Sequence, residues 1–193
     1  MNHGNRFTAL IDASTLAGAL RRNLILSLAS EELFRVRWSD RILEETEAAI
    51  STITEGKADT SKQRAAMNRA FPEAIVQYAA DVEGYLNIEG LPDPDDLHVI
   101  AAAVSARADV IVTENLKDFP TDVLRKFDIE VLSSDDFITD TLDLTPGRSL
   151  QAVKAMRERM KHPEYTAEGL LAKMEGQGLI QSSEFLREYV EVI

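Results

Sequence analysis

Strand-like apolar runs alternate with helical stretches along most of this chain, and that alternation limits the fold more than any other feature. Phe7-Thr8-Ala9-Leu10-Ile11 is a short apolar run ending at Asp12. A run without polar alternation marks a strand buried on both faces. Leu16, Leu20, Leu24 and Leu28 then recur every four residues as a helical stripe, with Ser14 or Thr15 as a candidate cap. Phe34, Val36 and Trp38 alternate with Arg35 and Arg37, the period of a strand. Ser39 precedes a helical pattern carrying Ile42, Ala49, Ile50 and Ile53. Two shorter helices are expected around residues 61–71 and 72–80. Asp96 to Arg107 reads as an alanine-rich helix and Asp109 to Thr113 as a buried strand. A further strand is expected at 129–132 and a helix at 135–142. This order predicts an α/β fold, a parallel sheet covered by helices on both faces.

Thr145-Pro146-Gly147 is the best boundary in the sequence. It divides residues 1–145 from a helical extension at 146–193. Three amphipathic patterns follow it, at about 149–161, 166–175 and 183–191, with no strand signal. The stripes Leu150/Val153/Met156 and Phe185/Leu186/Tyr189 are expected to bury against the first domain or against a partner, because soluble monomers seldom expose such patches.

Composition narrows the chemistry. The 193 residues include no cysteine, which excludes a disulfide framework, a thiolate metal site and a cysteine nucleophile. No apolar run reaches membrane-spanning length, and Met1 to Arg6 is polar and does not read as a signal peptide. Cytoplasmic residence is the expectation. The net charge is −12, and residues 71–145 carry the whole excess, with 17 acidic against 4 basic side chains. That distribution lacks the uniform basic footprint of a nucleic-acid binder. The acids either form a solvated surface or converge to hold a cation.

Asp12 directly follows the first strand, where ligands of open parallel sheets bind; it is also a natural cap for the next helix. Asp93-Pro94-Asp95-Asp96 opens the alanine-rich helix, and there Asp93 suits an N-cap and Pro94 the first helical position. Three acids exceed what capping needs. Glu44 and Glu45 lie early in the helix after the second strand. Thr113-Glu114-Asn115-Leu116-Lys117-Asp118-Phe119 follows another strand.

Together these elements resemble the PIN-domain family over roughly residues 7–142. Leu10-Ile11-Asp12-Ala13-Ser14-Thr15-Leu16 looks like the family's opening strand. Ser39-Asp40-Arg41-Ile42-Leu43-Glu44-Glu45 is similar to its glutamate helix, with Glu45 on the family's acid. The run from Asp93 to Ala103 resembles its third motif, with Asp96 on the family's acid. Ile111 to Phe119 looks like its fourth, except that Asn115 stands where many relatives carry aspartate. The resemblance implies a PIN-like domain at 1–145. It implies a metal-dependent ribonuclease, the VapC-type toxin of a toxin–antitoxin pair, with a cognate antitoxin and a homodimer as partners.

The residues suit such chemistry. Asp12, Glu45 and Asp96 would supply hard oxygen ligands for Mg²⁺ or Mn²⁺. Two carboxylates ~4 Å apart repel by about 4 kcal/mol at an effective dielectric of ~20. Such a cluster therefore raises its own pKa values or recruits a cation. Asp118 is expected to be a fourth acid acting through water, or else a cap for the short helix after Pro120. Asn115 is expected to orient the pocket by hydrogen bonding, with Thr113 and Asp93 in support and Glu114 toward solvent. His98 is expected to be structural, since it lies two positions from Asp96 on another helix side. RNA would be held by Arg21, Arg22, Lys62, Arg64 and Arg69, or by Lys154, Arg157 and Lys161, which share one helix face; an ordinary solvated face is the alternative. Two other functions suit the same residues. One is a catalytically silent PIN-like adaptor binding RNA or protein. The other is a metal-dependent phosphatase or DNA nuclease.

Overall fold

A computed structural model describes residues 7–79, 82–86, 88 and 90–193. The polar stretch Met1 to Arg6 lies outside them, as does Ala80. By packing, the chain forms two compact units. The first runs to Gly18 and resumes over Arg35–Ser133; the second joins Ala19–Phe34 to Ser134–Ile193.

The first unit is a five-stranded parallel sheet with its covering helices. Strands β1 (Thr8–Ile11), β2 (Arg35–Ser39), β3 (Ile75–Val76), β4 (Val110–Val112) and β5 (Glu130–Leu132) stand in the order β3-β2-β1-β4-β5. Helices α1 (Ala13–Leu16), α3 (Asp40–Ile53), α4 (Thr60–Ala70), α5 (Val82–Leu86), α6 (Leu97–Ala106) and α7 (Thr121–Leu124) complete it. Ala9, Leu10, Ile11, Val110, Ile111 and Val112 are fully buried. Their uninterrupted apolar runs therefore fit the two central strands. Ala101, Ala102 and Ala103 are also fully buried, so small side chains bring α6 close to its neighbours.

Three local expectations change. The segment 72–80 does not form a helix but contributes β3. Its β-branched pair Ile75-Val76 suits a strand, and Trp38 N–H donates to the Ala74 carbonyl at 3.0 Å, which ties the segment to the open edge of β2. The leucine stripe is not one helix, because α1 ends at Leu16 and α2 (Ala19–Ser30) begins after Gly18. Leu16 belongs to the first unit while Leu20, Leu24 and Leu28 belong to the second. The cap of α1 is Asp12, not Ser14 or Thr15.

The second unit is helical: α2, α8 (Ser134–Leu144), α9 (Pro146–Arg159), α10 (Ala167–Glu175) and α11 (Ile180–Arg187). The sequence boundary at Thr145 falls inside it, between α8 and α9. Helix α9 packs on α2, and α11 packs on α8 and α10. Leu24, Ile25, Leu28, Val153, Met156, Leu171, Met174 and Leu186 form the core, with Phe34 and Phe137 edge to face at 4.8 Å. Of the two stripes of the extension, Val153, Met156 and Leu186 are buried, while Leu150, Phe185 and Tyr189 are half-buried. Asp135 of α8 accepts from Gln181 N–H at 2.8 Å and Ser182 N–H at 2.9 Å. It satisfies the free amides at the start of α11, which has no cap of its own. Among the described residues no helix is long and apolar enough to cross a membrane.

Two outcomes follow from this packing. A chain ending at Thr145 bares the α2 face of Leu24, Ile25 and Leu28 and should aggregate, as size-exclusion chromatography would show. Asp135→Ala should cost about 1 kcal/mol, the scale of a lost helix cap, measurable by urea unfolding.

Candidate active site

The strand order reverses between β1 and β4, and open parallel sheets bind ligands in the crevice beyond the strand ends at such a point. Asp12 directly follows β1 there and is buried. Its Oδ1 accepts from Ala13 N–H at 2.7 Å, so it does cap α1. Its Oδ2 accepts from the Ser14 hydroxyl at 2.7 Å and the Thr113 hydroxyl at 2.8 Å. Thr113 directly follows β4 and is fully buried; its oxygen also accepts from Asn115 N–H at 3.0 Å. Ser14 accepts from Glu114 N–H at 3.0 Å. Two loops are thereby pinned to one carboxylate. Glu114 is exposed, and the Thr15 hydroxyl reaches its Oε1 at 3.4 Å.

Ser39 caps α3 by accepting from Ile42 N–H at 3.2 Å. The helix presents Glu45, whose Oε1 takes two contacts: His98 Nε2 at 3.0 Å and Arg41 Nε at 3.4 Å. Burial raises the Glu45 pKa, Arg41 opposes that, and Asp12 and Asp95 add repulsion. His98 is 1% exposed. Burial foremost, with Arg41 in addition, lowers its pKa to about 4. The ring is therefore neutral at pH 7, and its Nδ1 is buried with no hydrogen-bond partner among the described residues. His98 is structural in the sense expected, but it also touches a site acid. Spacing from Asp96 could not reveal this, because it fixes how a side chain leaves α6 and not what α3 brings against it.

Asp93 accepts from Asp95 N–H at 2.9 Å and caps a 3₁₀ turn, Pro94–Asp96, that leads into α6. Asp96 ends that turn half-buried, with its pKa raised from 3.8 to about 6. Burial is the largest cause, followed by repulsion from Asp12, Asp93, Asp118 and Glu45. Three carboxylates from other segments, and Asp93 from the same turn, thus act on one. Asp118 lies in a second 3₁₀ turn, Leu116–Asp118, and accepts from the Asn115 side-chain amide. It does not cap α7, whose N-cap is Pro120 with no side-chain bond.

Among the described residues no three acidic or histidine side chains stand together as a ready metal cage. The residues that could hold a metal are Asp12, Glu45 and Asp96, all hard oxygen donors. The mutual repulsion felt at Asp96 is what a cation would relieve. Glu45 Oε2 accepts no hydrogen bond from the described residues, so it is available to a ligand.

Several candidate RNA-holding side chains have protein partners. Arg21 donates to the Gln177 carbonyl, and Arg157 to the Tyr165 carbonyl at 2.9 Å. Arg64 pairs with Glu47 at 2.9 Å and Asp40 at 2.7 Å. Burial lowers the pKa of Arg22. Lys154 is exposed, as are Lys62 and Arg69. Lys161 pairs with Glu164 at 3.6 Å.

A parallel sheet flanked by helices, with Asp12 at its switch point, is the fold the motifs implied. Residues 8–117 match the PIN domain family, and the chain belongs to it. Residues 134–188 match a second family, the VapC50 C-terminal domain. The chain is 45% identical over 76 residues to a Mycobacterium tuberculosis protein named "Putative ribonuclease VapC50". That stretch is 39% of this chain and 45% of the relative, so it spans less than half the relative's length. No solved structure matches the chain.

The raised pKa of Asp96 has a definite sign. The folded state holds that proton more tightly than the unfolded chain, so stability from this group is lost as pH rises from about 4 to about 6. Without metal, Asp96→Asn should match the parent near pH 4 and exceed it at pH 7. Thermal melts in chelator across that range would show it.

Proposed function

We propose that this chain is an endoribonuclease that cleaves RNA phosphodiesters with Mg²⁺ or Mn²⁺, acting as the toxin of a toxin–antitoxin pair. What supports the reading is the repulsion that Asp12, Asp93, Asp118 and Glu45 exert on Asp96, beyond the β1–β4 switch point. Membership of the PIN family and the printed name of the relative support it. A bound divalent ion would supply charge neutralisation at the phosphate and a more acidic bound water.

Each residue has a distinct part. Asp12, held by Ser14 and Thr113, is the fixed carboxylate. Asp96 and Glu45 complete the ligand set from α6 and α3. Asp118, turned by the Asn115 amide, contributes through water. Exposed Lys62 and Arg69 of the first unit, and separately Lys154 of the second, each offer charge to the RNA backbone. The partners in this reading are an antitoxin segment and a second copy of the chain, and the setting is the cytoplasm.

One observation favours a second reading, a catalytically silent adaptor: Asn115 brings no charge, and its amide is spent on Asp118. Assays on RNA, DNA and a small phosphoester, each with and without Mg²⁺, separate the two and expose a phosphatase or DNA nuclease as well. Chelator should abolish RNA cleavage. Asp96→Asn should lower it by on the order of 10²-fold or more, the scale of losing a transition-state electrostatic group, while circular dichroism stays unchanged. Near-normal cleavage by that variant would refute the assignment. Asp118→Asn should raise the Mg²⁺ concentration for half-maximal cleavage; an unchanged metal dependence leaves the site to three acids.

A further inference from the structure

We infer that Arg41 is a substrate-binding residue: at the rim of the acidic crevice its guanidinium takes a backbone phosphate of the RNA strand, next to the phosphate that is cleaved. The inference rests on the reading of this crevice as the place of RNA cleavage, and it adds how an anionic strand is held there.

The crevice needs a cation of its own. Asp12, Asp93, Asp118 and Glu45 all repel Asp96, and they repel a phosphodiester for the same reason. A divalent ion would supply charge neutralisation at the reacting phosphate, which leaves the flanking phosphates to protein donors. Among the described residues, Arg41 bridges the helix that carries Glu45 and the turn that carries Asp96. Its Nε lies 3.4 Å from Glu45 Oε1, and its Nη2 donates to the Asp95 carbonyl at 3.3 Å. The side chain is 44% exposed, so a strand arriving from solvent can reach it.

Helix stability does not account for an arginine at this position. Arg41 stands in the first turn of α3, just after the Ser39 cap. The amino end of a helix carries partial positive charge, so a cation there works against the helix, whereas an acid such as Asp40 supports it. The pair with Glu45 runs in the weaker direction, base before acid at i and i+4, and exposed pairs of this kind add little. What the placement does produce is a positive field, because the guanidinium and the helix end both favour an anion. The guanidinium is also uncommitted. Its contacts at 3.4 and 3.3 Å are longer than the 2.7–2.9 Å of a strong charge-assisted bond. Nη1 has no partner among the described residues. A planar fork with free donors is the group that matches two oxygens of one phosphate.

The test uses the full chain and a labelled single-stranded RNA. Arg41→Gln should raise KM about 10-fold, the scale of one hydrogen bond to a charged group, and leave kcat within about twofold. RNA binding is read by fluorescence anisotropy in an Asp96→Asn background, which keeps the strand intact, at fixed Mg²⁺ and varied KCl. There Arg41→Gln should make the slope of log affinity against log salt shallower by about 0.7, the share of one phosphate on a single strand. Arg41→Lys should keep the slope and lose part of the affinity, since an ammonium brings the charge without the fork. Lys126→Gln is the control. It removes the same charge from an exposed position just before β5, at the other end of the parallel sheet, and should change neither KM nor slope. Calorimetry with Mn²⁺ alone should show Arg41→Gln binding the ion as tightly as the parent or more tightly, because a like charge has left the side of Glu45. Equal effects of Arg41→Gln and Lys126→Gln would overturn the inference. So would a fall in kcat and in Mn²⁺ affinity with KM unchanged, which makes Arg41 a support for Glu45 instead. A parent chain that cleaves no RNA in Mg²⁺ or Mn²⁺ sinks the nuclease reading. A cleaving parent that Arg41→Gln matches in KM and slope sinks only this inference.

Discussion

Thr113 gives its hydroxyl proton to Asp12 across the point where the strand order turns back, and the candidate site depends on that bond. Strand β1 supplies the acid and β4 supplies the hydroxyl, from positions about a hundred residues apart in sequence. The parallel register of Ile11 with Val112 puts the two side by side, and Asp12 N–H donates to the Val112 carbonyl at 3.0 Å. Ser14 adds a second proton to the same oxygen. A buried carboxylate that accepts three hydrogen bonds is held in one orientation.

The other acids arrive by separate routes. A capped helix start brings Glu45, a proline-led 3₁₀ turn brings Asp96, and the loop after β4 brings Asp118. Their shared cost is read at Asp96, where burial outranks any single neighbour's repulsion as the cause of the raised pKa. Arg41 offsets part of that cost at Glu45.

The helical unit solves a different problem. Its helices are amphipathic and none is stable alone, since isolated short helices are marginal in water. Helix α2, from early in the chain, and α8 to α11, from its end, cover one another's apolar faces. Asp135 closes the exposed amides of α11 from another helix, a cap that local sequence around Leu179 does not supply.

The sequence by itself determined the alternation of strands and helices, the buried central strands and the Ser39 and Asp93 caps. Each is a local property, set by periodicity, backbone preference or a side chain bonding its own neighbours. β3 escaped because two residues make too short a pattern, and what holds them is a bond to β2 that only the assembled sheet offers. The split of the leucine stripe escaped because a four-residue period does not say which core each leucine enters. Only the tertiary structure decided that His98 meets Glu45, that Thr113 meets Asp12 and that Arg21 and Arg157 bond to carbonyls. Each joins segments far apart in sequence or turns on which of several partners a long side chain finds. Hydrogen bonds need atoms within about 3 Å, and spacing along one element cannot say what another element brings to that distance.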